Sequence, residues 1–320
     1  MSALLVSANG IPVGTIEIEN GRWKFGYAAE WKAYALSPNF PIATGTFEDT
    51  ADARPVEWFF ENLLPEGRLR DLIASRDRID PRDTWALLIR HGQDTAGALS
   101  LIPEGFDVAT EEILVPLAKE ALQEKIEESR TRNLPLMASW EEIRMSLAGA
   151  QEKLGLRIDA SGAMFLPEGS APSTHIVKPE NASADFPHCP ANEFFCMRLA
   201  HELKVPVPAV GLLHRPEPLY VIERFDRSPL DTGAEKVTGR AFGRLHQIDL
   251  CQDLGVAPSK KYESEGGLGL HHLFGVLRGT FIDRPIVAAN AVVQWVAFNY
   301  LIGSLDAHAK NIAVLMRRQK

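Results

Sequence analysis

Asp306 and Asn311 stand five positions apart in a polar loop, between a long apolar run (Val287 to Ile302, closed by Gly303) and a short one (Ile312 to Met316). This spacing suits phosphoryl transfer. In a kinase loop the Asp accepts the proton of the attacking hydroxyl, and the Asn turns back to hold magnesium on the phosphates. Chance also produces Asp-x-x-x-x-Asn, and a polar helix-to-strand loop is the bland alternative, so its weight depends on what precedes it. Lys178 closes the β-like run Ser173 to Lys178, with Ile176 on the same side. There a lysine can neutralise the α- and β-phosphates, or it can be a solvated edge residue. Glu193 opens a helical run whose stripe Phe195, Leu199 and Leu203 is expected to be buried. It can pair with such a lysine, or simply suit the helix dipole.

Upstream, Ser146 to Lys153 contains Ala148, Gly149 and Ala150 and leads into the strand-like Leu154 to Ile158. Small residues let consecutive amides approach an anion closely, although one glycine between alanines also makes an ordinary turn. Leu219 to Arg227 is an apolar run that turns charged at Glu223. That pattern suits a hinge whose backbone hydrogen-bonds an adenine, or a strand end closed by a surface ion pair. The order is what a kinase requires: small-residue loop, strand Lys, helix Glu, hinge, long helix, Asp-x-x-x-x-Asn, strand.

These parts need a scaffold. Asn9-Gly10 and Asn20-Gly21 separate alternating apolar runs and indicate tight hairpins in a small antiparallel sheet. Val56, Phe59, Phe60, Leu63 and Leu64 share a helical face, broken by Pro65 and Gly67 before Leu69, Leu72 and Ile73 begin another. From Phe106 to Asn133 the chain reads as charged helix on solvated faces, with Glu111, Glu112, Lys119 and Glu120 among its charges. The divisions expected are an N-terminal subdomain over 1–105, a helical linker over 106–134 and a kinase-like region over 135–320, its nucleotide-binding lobe reaching about 227.

The 320 residues are 45% hydrophobic and 24% charged, enough for a substantial core. The longest apolar run, Ile286 to Gly303, is interrupted by Asn290, Gln294 and Asn299 and reads as a buried helix rather than a membrane span. The first residues lack the basic start of a secretory signal, so a cytoplasmic location is expected. Cys189, Cys196 and Cys251, odd in number and scattered, read as reduced core residues. A net charge of −8 makes direct nucleic-acid binding a poor first expectation.

Ser146 to Lys153, Thr174 to Lys178, Asn192-Glu193, Glu223 to Arg227, Leu245 to Gln252, Lys261 to Gly267 and Phe298 to Asn311 together resemble the HipA kinases, in order and separation, and the first hundred residues resemble that family's N-terminal subdomain. The resemblance implies an α+β, bilobal protein-kinase-like fold with a small α/β N-terminal subdomain and a mainly helical C-terminal lobe. It implies an ATP-dependent serine/threonine kinase toxin with Asp306 as base, Asn311 on Mg2+ and Lys178 on the α- and β-phosphates. Glu223, Arg224 and Phe225 would meet the adenine, Ala148, Gly149, Ala150, Gln151, Glu152 and Lys153 would form the phosphate loop, and His308 would touch phosphates. Glu193 would be the ion-pair partner of Lys178, and Ser146 the site of self-phosphorylation, whose added charge would oppose ATP. An aminoacyl-tRNA synthetase, notably the glutamyl enzyme, is the implied substrate. A HipB-like helix-turn-helix antitoxin is the implied partner, with DNA reached through it.

The resemblance also leads one to expect a second metal-binding Asp after the Asn strand, and Ile312 to Lys320 contain no acidic residue. The helical lobe is therefore expected to be incomplete. The alternative reading is a catalytically inactive HipA-like protein that binds nucleotide or antitoxin and modulates transcription; a small-molecule kinase is a third. Ala307 stands where the family commonly has Gly, which narrows the backbone shapes open to the loop.

Overall fold

In the computed structural model, which describes residues 3–106, 111–132, 136, 151–181, 186–214, 217–229, 242–279 and 282–316, both Asn-Gly dipeptides close hairpins. Asn9, Gly10, Asn20 and Gly21 all have φ between 51° and 80°, the left-handed geometry that matches a two-residue turn to the twist of its strands. They join β1 (Leu4–Ala8) to β2 (Ile11–Glu19) and β2 to β3 (Arg22–Tyr27). With β4 (Thr46–Glu48) and β5 (Leu99–Pro103), these strands form an antiparallel sheet of order β4-β3-β2-β1-β5. Helices α1 (Pro55–Glu61), α2 (Gly67–Asp77) and α3 (Thr84–His91) complete the module. The apolar face Val56, Phe59, Phe60, Leu63 and Leu64 is buried in one cluster with Leu4, Val6, Ile16 and Phe25. Arg54, at the N-cap of α1, offers no capping side chain; the Asp49 carboxylate instead accepts the N–H groups of Val56 (2.8 Å) and Glu57 (3.0 Å).

The second sheet contains β6 (Glu112–Leu117), β7 (Leu154–Ile158), β8 (Met164–Gly169), β9 (His175–Lys178), β10 (Val210–His214) and β11 (Pro218–Glu223), in the order β10-β11-β9-β7-β8-β6. The stretch expected to be a solvated helical linker is thus a correction. Glu112 belongs to an edge strand, because Ile113 to Leu117 is a short apolar run that pairs with β8. The helix after it, α4 (Lys119–Arg132), buries Leu122 and Ile126 in the second core cluster with Leu154, Leu156 and Val177. A second correction concerns α5 (Cys189–Glu202): Phe195 is 66% exposed and Leu203 58%. Apolar residues are spread all round α5, so periodicity did not select the side that Ala200 presents inward.

Short strands β12 (Arg227–Pro229) and β13 (Phe242–Arg244) pair, as do β14 (Gln247–Asp249) and β15 (Ala313–Leu315). Helix α6 (Leu250–Leu254) starts in a capping box, in which Asp249 accepts the Gln252 N–H (2.8 Å) and the Gln252 side chain accepts the Asp249 N–H (3.0 Å). Leu250, Cys251, Leu268 and Leu273, the last on α7 (Leu270–Leu277), form a third cluster with Ala309. Helix α8 (Pro285–Leu301) was expected to be buried, but Ile286 and Tyr300 are each 85% exposed. Its apolar composition marks surface that would gain from cover, and among the described residues the side carrying Val292 finds it, against the third cluster. Of the cysteines, Cys251 is a core residue, whereas Cys189 and Cys196 are only half-buried. Among the described residues no helix is long and apolar enough to cross a membrane.

The N-terminal module packs onto the β14–β15 pair: Ile248 enters its core, with Val314 and Met316 packed against it. His246, just before β14, donates from Nε2 to the Leu36 carbonyl (2.8 Å) and stacks on Tyr34. Its Nδ1 is buried with no hydrogen-bond partner. Burial pushes its pKa down to about 4, because a proton on Nδ1 would have no acceptor. The unfolded chain, with histidine near 6.5, takes up that proton first as pH falls. Stability is therefore fully present above pH 6.5 and is lost on the way to pH 4, by roughly 3 kcal/mol. Urea unfolding at several pH values is expected to show this slope, and His246→Phe to remove its share. The difference isolates His246 from His91, which burial also pushes down to about 4.

Candidate active site

Lys178 ends β9, and Glu193 lies in the first half of α5. Register places Tyr220 of β11 opposite Lys178, and the lysine Nζ passes 5.7 Å from that ring to reach Glu193 Oε2 at 2.7 Å. Lys153, immediately before β7, is buried. Its ammonium is pushed down to about 7, first by burial and then by the like charge of Lys178, while Glu193 and Glu66 pull it up. One enclosed lysine thus lies within electrostatic reach of both the Lys178–Glu193 pair and a second group of charges centred on Glu66. Burial also pushes the Glu152 carboxyl up, against Arg130 and the Leu136 amide. Gln151 is half-buried; Ser146, Ala148, Gly149 and Ala150 lie outside the described residues.

Gly303 (φ 67°) ends α8 and turns the chain into the loop that carries Asp306, while Ala309–Asn311 form a single 3₁₀ turn before β15. The Asp306 side chain is 80% exposed. The Tyr262 hydroxyl donates to its Oδ1 (3.0 Å), and His308 Nε2 lies 3.5 Å from the same oxygen. The Asn311 amide nitrogen donates to the Asp306 carbonyl, which leaves its Oδ1 as a free acceptor in an exposed side chain. The His308 ring, expected to face phosphates, is only 9% exposed and stands edge-on to Tyr262 at 4.9 Å. Burial lowers its pKa against the opposing pull of Asp306.

Beneath the loop lies a charge cluster that no local signal in the sequence announced. Lys310 donates to Asn62 Oδ1 (2.7 Å) and the Asn62 carbonyl (2.9 Å), and pairs with Glu66 Oε1 (3.2 Å) and Asp249 (3.1 Å). Lys261 reaches Glu66 Oε2 at 2.8 Å. Burial alone would raise the Glu66 carboxyl, but Lys310 and Lys261 overcome it and hold it below the usual range. Glu66 and Asn62 come from the N-terminal module, some two hundred residues earlier in the chain. Tyr262 was likewise missed as a neighbour of Asp306, for its motif carries no chemistry without the fold.

Glu223 and Phe225 are exposed at the end of β11, and the Glu223 N–H is given to the Ala209 carbonyl (2.9 Å). Arg224, expected among the nucleotide contacts, is a correction. Its guanidinium is buried against Asp226 (2.7 Å), Ser173 Oγ (2.9 Å) and the Thr95 carbonyl (3.3 Å), and its N–H is given to the Thr174 carbonyl (2.9 Å). The alternation of the strand turns Arg224 inward while its neighbours face out. The charges after β11 are therefore no surface ion pair. Arg224, Asp226, Arg227, Arg244 and Asp94 form a buried seam with the N-terminal module, in which Asp226 also accepts the Gly97 N–H (2.7 Å) and Arg244 pairs with Asp94 (2.8 Å).

Comparison with known proteins points one way. Residues 145–320 match the family model "HipA-like C-terminal domain" and residues 4–102 match "HipA N-terminal domain". A putative kinase of Sinorhizobium fredii, Y4mE, is 35% identical over 301 residues, covering 91% of this chain and 68% of that protein. The serine/threonine-protein kinase toxin HipA of Shewanella oneidensis is 34% identical over 305 residues, covering 91% of this chain and 65% of that protein. The chain thus spans about two thirds of the length of these curated relatives. A solved structure of Shewanella oneidensis HipA with HipB and operator DNA superposes with a TM-score of 0.77 at 29% identity, covering 98% of this chain and 72% of that one.

Proposed function

The chain belongs to the HipA family, and on that premise we propose that the protein is an ATP-dependent serine/threonine protein kinase of a toxin–antitoxin pair. The observation that carries the reading is the ion pair of the strand lysine Lys178 with the helix carboxylate Glu193 at 2.7 Å, with buried Lys153 within electrostatic reach of that pair and of the Glu66–Lys310 cluster that underlies Asp306. A lysine held by a carboxylate and an exposed Asp are what phosphoryl transfer needs: charge on the phosphates and an acceptor for the hydroxyl proton. Lys178 and Lys153 bind the phosphates, and the backbone of Glu223 and Phe225 takes the adenine. Asp306 orients the substrate hydroxyl and accepts its proton.

Asn311 is placed to hold Mg2+. Asn311 keeps a free carbonyl oxygen, and magnesium characteristically takes few protein oxygens beside those of the phosphates. Once bound, the metal supplies charge that screens the transferring group. Ser146 is the self-phosphorylation site in this reading, and an aminoacyl-tRNA synthetase, the glutamyl enzyme first, is the external substrate. A HipB-like helix-turn-helix protein is the partner and carries the pair to DNA, as befits a chain of net charge −8. The support is family membership and the likeness to a HipA solved with HipB and operator DNA.

Titration calorimetry with MgATP tests the premise of binding. Wild type is expected to bind, and Lys178→Met to lose about 10- to 100-fold in affinity, the worth of roughly 1.5–3 kcal/mol for a hydrogen bond to a charged group. Unchanged circular dichroism would show that the variant folds. No binding by wild type, or equal binding by the variant, would sink the reading.

A further inference from the structure

The N-terminal module carries none of the phosphate or base chemistry, yet one of its carboxylates lies directly beneath the loop that does. Glu66 sits at the N-terminal edge of α2, with its two oxygens divided between two lysines of the kinase-like region: Oε2 to Lys261 at 2.8 Å and Oε1 to Lys310 at 3.2 Å. Each lysine is one residue away from a group that touches Asp306. Lys261 precedes Tyr262, whose hydroxyl donates to Asp306 Oδ1 at 3.0 Å. Lys310 precedes Asn311, whose amide donates to the Asp306 carbonyl. The Lys261 carbonyl also accepts the Ala309 N–H at 3.1 Å, joining the two arms below the loop.

We infer that Glu66 is a positioning residue: it holds the side chain and the backbone of Asp306 at once, through Lys261–Tyr262 and Lys310–Asn311, so that the N-terminal module sets the aim of the base. The inference rests on the kinase reading and deepens it. Apart from these arms Asp306 meets only His308 Nε2 among the described residues, at 3.5 Å, and its side chain is exposed in a loop after a glycine with φ 67°. With Tyr262 on Oδ1, the other oxygen is left for the substrate hydroxyl. Lys310 donates hydrogen bonds to Asn62 Oδ1 and the Asn62 carbonyl, and its buried ammonium is ion-paired with Glu66 and Asp249, so it acts as a strut rather than a phosphate ligand. A misplacement of about 1 Å at a reacting group can cost roughly 100-fold in rate, so a loosened strut should be read in turnover, not in nucleotide affinity.

Glu66→Gln keeps the shape but offers one acceptor to two ammonium groups. Lys261→Met cuts the tyrosine arm alone and leaves the Glu66–Lys310 pair intact. Asn39→Ala is the control: it removes another bond between module and kinase-like region, Asn39 Nδ2 to the Asp253 carbonyl at 2.7 Å, without touching the loop. At saturating MgATP, Glu66→Gln and Lys261→Met are each expected to transfer phosphate about 10-fold more slowly or worse, with ATP affinity within about twofold of wild type. Asn39→Ala is expected to keep the wild-type rate. Wild-type rates in both variants overturn the inference, as does an equal fall in Asn39→Ala, which would assign the effect to loosened docking. If wild type binds ATP and transfers no phosphate, the kinase reading fails first, and amide exchange over 305–312 then decides. Faster exchange in Glu66→Gln and Lys261→Met than in Asn39→Ala sustains the strut; unchanged exchange overturns it.

Discussion

Asp306→Asn is expected to slow phosphate transfer by about 10²- to 10⁴-fold, the range that a positioned general base supplies, while ATP affinity stays within about twofold. The substitution is sharp because so little else changes. The amide oxygen can still accept the Tyr262 hydroxyl, and the backbone carbonyl still accepts the Asn311 amide. What disappears is the capacity to take the hydroxyl proton and the negative charge that orients it. Radiolabelled phosphate transfer to a synthetase and to the protein itself, beside ATP titration, separates the two quantities. A transfer rate within about threefold of wild type would remove Asp306 from the role of base. Weaker ATP binding in the same variant would show a phosphate-site role instead.

The largest stability effect is expected at Asp226. Its carboxylate accepts Arg224 at 2.9 and 2.7 Å, the Gly97 N–H at 2.7 Å and lies 2.9 Å from Arg227. Burial alone would raise its pKa, but Arg224, Arg227 and the Gly97 amide overcome that and hold it below the usual carboxylate range. Asp226→Asn leaves two guanidinium groups facing each other in a buried seam. Removing one partner of such a pair costs about 3–5 kcal/mol, and guanidinium unfolding would measure it. A loss under about 1 kcal/mol would show that water reaches the seam. The depressed carboxyl contributes stability above the unfolded value near 3.9 and loses it as pH falls below that, so acid should open the seam in wild type. Because the seam directly follows Glu223 and Phe225, ATP affinity is expected to fall along with stability.

Both expectations depend on a division visible in particular residues. The Asn-Gly hairpins, the face Val56 to Leu64 and the strand after Asn311 were legible because each is a local matter: left-handed φ, helical periodicity, a short apolar run after a turn. So was the order of Lys178, Glu193, Glu223, Asp306 and Asn311, since motif spacing follows from backbone reach along one element or loop. Cover was not legible. Phe195 and Leu203 on α5, and Ile286 and Tyr300 on α8, are apolar and exposed, because periodicity describes a helix and says nothing of its neighbours. Ile113 to Leu117 showed the same limit from the other side, a strand inside a charged stretch whose partner β8 comes some fifty residues later.

The amino-acid sequence by itself determined the Asn-Gly hairpins, the α1 face, the order of the motifs and the family. Only the tertiary structure decided that Arg224 turns into a buried seam with the N-terminal module, that Tyr262 meets Asp306, and that Glu66 lies under the loop that carries Asp306. The physical reason is range. Hydrogen bonds along one element depend on residues three or four places apart, whereas an ion pair between Glu66 and Lys310 exists only once two distant stretches of chain have packed together, and no spacing in the chain records that meeting.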